Sequence, residues 1–173
     1  SDGQLSVVGS GGPNFEARNE YSFVAEVTDS GGLKDYKAVA VLVTDVNESP
    51  AFTAAAINLV RRVPENDPGA YGNAGKVEAK DPDATANNKD GTFSALSYSV
   101  GASETVFEID ASSGQLKLRS GVQTNFEAKS SYSVDVTVRD GAGGSQTQTF
   151  TVAVRNVNEA PVSAFKDATL IVK

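Results

Sequence analysis

The sequence predicts an all-β protein made of immunoglobulin-like Greek-key β-sandwich repeats in tandem. Three observations carry this. First, short runs alternate between apolar and polar residues. In YSVDVTV (132–138), Tyr132, Val134, Val136 and Val138 fall on one face, and Ser133, Asp135 and Thr137 on the other. Second, Gly, Asp, Asn and Ser separate the runs, which is turn chemistry. Third, the chain repeats itself at an offset of 111 residues without a gap. Gly3-Gln4-Leu5 meets Gly114-Gln115-Leu116, and Asn14-Phe15-Glu16-Ala17 meets Asn125-Phe126-Glu127-Ala128. Val46-Asn47-Glu48 meets Val157-Asn158-Glu159, and 18 of the 48 aligned positions from Gly3 to Pro50 are identical. A period this long means tandem domains rather than short solenoid repeats.

Residues 51–161 are then expected to form one complete unit. Residues 1–50 read as the truncated C-terminal half of a preceding repeat, and 162–173 as the first strand of a following one. In the first unit the expected strands are 4–8, 21–28 and 37–43. In the complete unit they are INLVRRV (57–63), GKVEA (75–79), ALSYSV (95–100), VFEID (106–110), QLKLR (115–119), 132–138 and TFTVAV (149–154). ATLIVK (168–173) closes the series. No segment shows a sustained helical period. The period-2 placement of Phe107, Phe126, Tyr132 and Phe150 assigns them to the core rather than to a sugar-stacking platform.

Composition narrows the function classes. The chain has no Cys and no His, which removes disulfides, thiolate chemistry, the commonest general base and the commonest transition-metal ligand. The net charge of −7 argues against nucleic acid or an anionic membrane as partner. No apolar run approaches the roughly 18 residues of a membrane span, so no membrane insertion is expected of these residues. A carboxylate pair is the only catalytic arrangement left, and the acids are better explained as ligands, so no enzyme is expected.

The polar residues that the strands do not absorb fall at strand ends and in loops. They are Asn14 and Glu16; Asp45, Asn47 and Glu48; Asp81 and Asp83; and Asp140. Their order resembles that of cadherin repeats, of the kind also found in bacterial surface or secreted proteins. The stretch DVNESPAF (45–52) resembles the cadherin linker motif Asp-x-Asn-Asp-x-x-Pro-x-Phe. Asn-Phe-Glu at 14–16 and 125–127 stands where that family has a Leu-Asp-x-Glu string. Pro64-Glu65-Asn66 resembles its Pro-Glu-Asn, Asp81-Pro82-Asp83 its Asp-x-Asp, and Asp140-Gly141 its Asp-x-Gly. Phe107-Glu108-Ile109-Asp110 with Gly114 resembles its Phe-x-Ile-Asp and following Gly.

The resemblance implies calcium between successive units, with two to three ions at the 45–50 junction. The ion nearest the complete unit would take Asn47, Asp81, Asp83 and Asp140, with carbonyls near Ser49 and from the Asn87–Asp90 loop. The middle ion would take Glu16, Asp45, Glu48 and Asp83 with the Val46 carbonyl. The outermost would take Glu16 and Glu48, weakened because Asn14 stands where the family has Asp. Calcium takes six to eight oxygens in tolerant geometry, which this donor set suits. Six carboxylates, Glu16, Asp45, Glu48, Asp81, Asp83 and Asp140, hold nearly the whole net charge at one junction and must repel one another unless cations neutralise them.

The second linker is a poorer copy. Glu65, Asn125, Glu127, Asn158 and Glu159 are in place, but Asn156 replaces the counterpart of Asp45. Asp29 is assigned by analogy with Asp140 to a junction before residue 1. The expected role is a calcium-rigidified extracellular segment of a cell-surface or secreted adhesin, with neighbouring repeats as partners. Self-association is a further expectation, because residues 1–50 cannot close two sheets and would leave an apolar face open. The chain has no Trp, so adhesion by tryptophan strand exchange is excluded. The alternative is a module that binds a glycan or protein partner within a polysaccharide-acting surface protein, with Tyr71 as its one candidate contact.

Overall fold

In the computed structural model, residues 3–9, 11–66, 73–84 and 95–161 are described. In chain order the elements are β1 (Glu20–Thr28), β2 (Lys34–Leu42), β3 (Ala51–Phe52), α1 (Ala54–Asn58), β4 (Arg61–Pro64) and β5 (Asn73–Lys76). There follow β6 (Ala79–Lys80), β7 (Ser97–Val100), β8 (Phe107–Ile109), β9 (Gln115–Leu118), β10 (Ser131–Arg139) and β11 (Ser145–Arg155). One sheet runs in the order β4-β11-β10-β7 and the other has β5-β9-β8, with β3-β6 as a separate two-strand ladder. The described residues are all-β apart from one short helix, as the patterning predicts.

The alternation read along 132–138 is the alternation observed. Val134, Val136 and Val138 are fully buried, while Ser133 and Asp135 face solvent. Val152 and Phe150 do the same on β11, and Phe107 and Leu116 meet them from the opposite sheet. Each such side chain contributes about 1.5–3 kcal/mol by leaving water. The expected core aromatics are there: Phe107 and Phe150 are buried, and Phe126 and Tyr132 pack against the core from its edge. Phe107 meets Tyr132 edge-on at 5.6 Å, and Phe150 meets Phe52 edge-on at 5.2 Å.

Several element assignments need correction. The strand expected over 57–63 begins only at Arg61, because Ala54–Asn58 is helical. The Thr53 side chain accepts from the Ala56 amide (3.1 Å), an N-cap, and three alanines follow it. Five residues are too few to display a helical period. GKVEA is not one strand but two, because the chain changes sheets at Val77, where β5 pairs with β9 and β6 with β3. A register shift at Gly75, at φ 93°, marks the departure. Residues 4–8 form no strand. Their counterparts in the complete unit lie in β9, which pairs with β5 and β8, and residues 1–50 contain no equivalents of those two strands. The 168–173 segment lies outside the described residues.

β1 and β2 form a hairpin of nine registered pairs, from Glu20↔Leu42 to Thr28↔Lys34. Its apolar residues are open: Phe23, Val24 and Val27 are all exposed. Leu5, Val7, Pro13, Tyr21, Phe23 and Val41 line a groove of roughly 500 Å³ on this hairpin. The chain leaves β2 at Leu42 and reaches β3 at Ala51, so residues 43–50 connect hairpin and sandwich.

Candidate metal centre at the 45–50 junction

Asp140 follows β10 directly and is fixed by the turn into β11. Its Oδ1 accepts from the amides of Ala142, Gly143 and Gly144 at 2.8, 2.7 and 2.8 Å. Its Oδ2 accepts from the Asn47 side-chain amide at 3.0 Å. Burial pushes the Asp140 carboxyl up, but the Asn47 bond and the three backbone donors outweigh it and hold the group below its ordinary value. Asp29 is held the same way in the β1–β2 hairpin, where its Oδ1 accepts from Gly31 and Leu33.

Asp81 and Asp83 sit just after β6. The Asp83 amide donates to Asp81 Oδ1 (2.9 Å), and Asp83 Oδ2 accepts from the Glu48 amide (3.0 Å). Both carboxylates are buried, Asp83 completely. Burial pushes Asp81 above its ordinary value against the pull of the Asp83 amide, and the charges of Asp83 and Asp140 add to the rise. Glu48 is raised as well, by loss of hydration first, then by Glu16, Asp83 and Asp45. Carboxylate oxygens of Glu16, Glu48 and Asp83 lie within 4.8 Å of one another.

The structure therefore gathers Glu16 from before the hairpin, Asp45, Asn47 and Glu48 from the linker, and Asp81, Asp83 and Asp140 from the sandwich. In this group Asn47 Oδ1, Asp81 Oδ2 and Asp83 Oδ1 are buried with no hydrogen-bond donor. Buried oxygens without donors are costly, about 1–3 kcal/mol each or more when charged. Oxygen-only donors of this kind suit a hard cation.

The other expected residues are placed as follows. Asn14 turns its Oδ1 to the Ala17 amide (2.7 Å) and caps its own turn, as Asn125 does to Ala128 (2.6 Å). The Val46 side chain is exposed. Asp90, the Asn87–Asp90 loop and Tyr71 lie outside the described residues. At the second linker, carboxylate oxygens of Glu65, Glu127 and Glu159 also lie within 4.8 Å of one another, a closer grouping than the sequence suggested. The Asn156 amide donates to Glu127 (3.2 Å), and Asn158 is exposed.

Two contributors escaped the sequence reading. A Cβ on Gly144 would overlap the Asp140 carboxylate and stand 3.0 Å from both Asn47 Nδ2 and Ser49 Oγ, so the bare backbone there makes room for the cluster. Gln146 Oε1 accepts from the Phe52 amide (2.8 Å) and ties the linker's exit to β11. The Gly143-Gly144 pair was a visible signal for the first; the second left none.

An all-β sandwich with an acidic oxygen cluster where a hairpin joins it defines a class of linked β-sandwich repeat. Comparison with known proteins agrees. The cadherin domain family matches residues 60–155. Cadherin-99C of Drosophila melanogaster is 30% identical over 156 residues, which is 88% of this chain and 8% of that protein. Cadherin-related family member 1 of Xenopus laevis is 31% identical over 156 residues, 84% of this chain and 17% of that protein. Among solved structures, protocadherin gamma B2 extracellular cadherin domains 1–5 superpose with TM-score 0.59 at 23% identity, over 84% of this chain and 28% of that one. Mouse cadherin-23 EC22–24 gives 0.58 at 18% identity, over 84% and 45%. The chain belongs to the cadherin family. Domains of this family are extracellular modules of adhesion type. The chain spans less than a fifth of the curated relatives above. No helix among the described residues is long and apolar enough to cross a membrane.

Proposed function

We propose that this chain is a calcium-rigidified cadherin module, a structural and adhesive segment of a surface or secreted protein. In this reading residues 51–161 are one complete repeat, 1–50 the C-terminal half of its predecessor, and 162–173 the start of its successor. The observation that carries it is the set of buried, donor-free oxygens of Asn47, Asp81 and Asp83 beside the Glu16, Glu48 and Asp83 carboxylates. Two to three calcium ions held there would supply positive charge and bind residues from both sides of the linker at once. Asn47, Asp81, Asp83 and Asp140 would hold the inner ion, and Glu16, Asp45 and Glu48 with Asp83 the next. Without the ions, the carboxylates repel and the linker bends. Neighbouring repeats are the first partners, and the open face of the β1–β2 hairpin is the surface a further set of strands or a second copy would cover.

Calcium titration by calorimetry, with small-angle scattering in calcium and in chelator, tests the proposal. Binding of two or three ions with a longer, narrower particle when loaded is expected, together with higher stability, because the ion binds the folded state. A chain that takes up no calcium at millimolar concentration would sink it.

A further inference from the structure

The β1–β2 hairpin has two faces, and the fold accounts for only one of them. Tyr21, Phe23 and Val41 line the groove, so the residues one position along each strand point the other way. That outer face carries Val24, Tyr36 and Leu42, exposed by 64%, 58% and 74%, around the exposed Ala38 and Ala40.

The complete unit shows what an outer face in this position ordinarily holds. β10 and β11 are the counterparts of β1 and β2 at the 111-residue offset. Their equivalent of the groove face is buried in the core, and their equivalent of the outer face is in water. Further strands of the first unit would therefore not cover its outer face. On the solvent side of the complete unit, Asp135 stands for Val24, Thr147 for Tyr36, and Thr149 and Thr151 for Ala38 and Ala40. These polar groups bond to one another. Thr149 Oγ1 donates to Asp135 Oδ1 (2.6 Å), and the Thr137 and Thr147 hydroxyls lie 2.7 Å apart. In the first unit an apolar strip on the order of a few hundred Å² takes their place, the size that marks an interaction surface.

The pairing register makes this strip complementary to itself. It runs from Glu20↔Leu42 at one end, through Val24↔Ala38, to Glu26↔Tyr36 and Thr28↔Lys34 at the other. A two-fold axis across the strands at Val24↔Ala38 sets each end of one hairpin on the opposite end of the next. Tyr36 then lies on Ala40 of the second copy, the Lys34 stem on its Leu42, and Val24 on its Val24. The Lys34 ammonium, 2.6 Å from Glu26 in its own hairpin, comes beside Glu20 of that copy. Large meets small and positive meets negative. A two-fold axis along the strands would instead press Glu26 onto Tyr36 and Glu20 onto Leu42.

We propose that the outer face of the β1–β2 hairpin is an isologous docking surface for a second copy of this chain, packed antiparallel about Val24. The proposal deepens the adhesive reading above by naming a partner and a face, and the contact itself needs no calcium. One hairpin face buries little, so the dimer belongs with weak, transient interfaces below roughly 1,200 Å².

Sedimentation equilibrium of the whole chain, in chelator and in calcium, tests this up to about millimolar protein, the range of weak contacts. A monomer–dimer equilibrium of similar strength in both is expected. Giving the hairpin the complete unit's residues, Val24→Asp with Tyr36→Thr, should weaken association about tenfold or more, as loss of a central aromatic anchor does. Phe23→Ser, on the groove side, should leave it unchanged. Glu20→Lys should weaken it, and adding Lys34→Glu to the same chain should restore much of the loss, because both charges then change places across the axis. This pair lies at the strand ends and decides the outcome if the first variant disturbs the hairpin. A chain that stays monomeric overturns the proposal. So does association abolished by Phe23→Ser but not by Val24→Asp with Tyr36→Thr, or a charge reversal without rescue. A dimer that persists in a chain that takes up no calcium would sink the calcium reading and leave the docking surface standing.

Discussion

Asn47 and Asp140 lie 93 residues apart, yet the Asn47 amide donates to Asp140 Oδ2 at 3.0 Å and joins the linker to the β10–β11 turn. The bond orients the amide so that its own oxygen, Asn47 Oδ1, is buried without a donor. One side chain thereby does two things: it fastens the linker and presents an oxygen to the cluster. Asn47→Ala is expected to cost about 1.5–3 kcal/mol in chelator, as a bond to a charged group does. It should also weaken calcium binding about tenfold or more. Chemical denaturation with and without calcium measures both, and a variant altered in neither would place the coupling elsewhere.

Gly144 offers a cleaner probe, because it carries no functional group. A methyl there would overlap the Asp140 carboxylate, so Gly144→Ala must push that group off its three backbone donors. Calcium affinity is expected to fall by roughly an order of magnitude, in the range of orienting-residue changes at metal sites. The far-UV circular dichroism should stay that of the parent. Calorimetric titration decides; unchanged affinity would show that the turn yields without disturbing the carboxylate.

Arg61 is buried with no acidic partner among the described residues, and its guanidinium lies 4.3 Å from the centroid of the Phe150 ring. It donates to the carbonyls of Ala56 (2.9 Å) and Leu59 (3.2 Å) and so closes the C-terminal end of α1. Burial holds its pKa below the ordinary value. Arg61→Ala should destabilise the module by about 3 kcal/mol, through lost packing and orphaned carbonyls together. Arg61→Lys should recover only part of this, since an ammonium neither stacks flat nor spans two carbonyls. Thermal melts at fixed calcium would rank the three chains.

Asp110 anchors the turn between β8 and β9. Its Oδ1 accepts from the amides and hydroxyls of both Ser112 and Ser113, led by the Ser113 amide at 2.7 Å. These bonds hold its carboxyl well below the ordinary carboxylate range. A depressed folded-state pKa stabilises above the unfolded value, near 3.9 for Asp by rough reference, and the contribution drains away as pH falls below it. Asp110→Asn should therefore melt earlier than the parent at pH 7, and the gap should narrow at about pH 3. A constant gap across that interval would deny the carboxylate its part.

How much of this was legible in sequence depended on length and spacing. β10 and β11 are nine and eleven residues long, so their period-2 patterns declared themselves. The acidic group was legible because its residues recur in a fixed order across a gapless repeat. α1 was not, since five residues cannot show a period and its only flag was Thr53 before three alanines. Nor was the sheet change at Val77, a fully buried residue that looks like the middle of one strand. Hydrogen bonds settle such a break, and one of them, Val77 N to Gly114 O at 2.8 Å, spans 37 positions. The Glu65 cluster looked deficient because amides stand at Asn125 and Asn156 where acids were expected; the fold, not the spacing, brings Glu65, Glu127 and Glu159 together.

The parallel pairing of β4 with β11 has a mechanical consequence. Four pairs, from Arg61↔Val152 to Pro64↔Arg155, join a strand near the unit's entrance to the strand at its exit, both running the same way. Tension along the chain pulls the two in opposite directions along their shared axis. The ladder is then sheared, all four pairs at once, instead of being peeled open one pair at a time. Rupture under force follows the unfolding barrier rather than the equilibrium stability. Single-molecule stretching through residues 51 and 160 should thus need more force than opening the same ladder through the adjacent ends at Pro64 and Arg155. A segment with this pairing is suited to being pulled lengthwise.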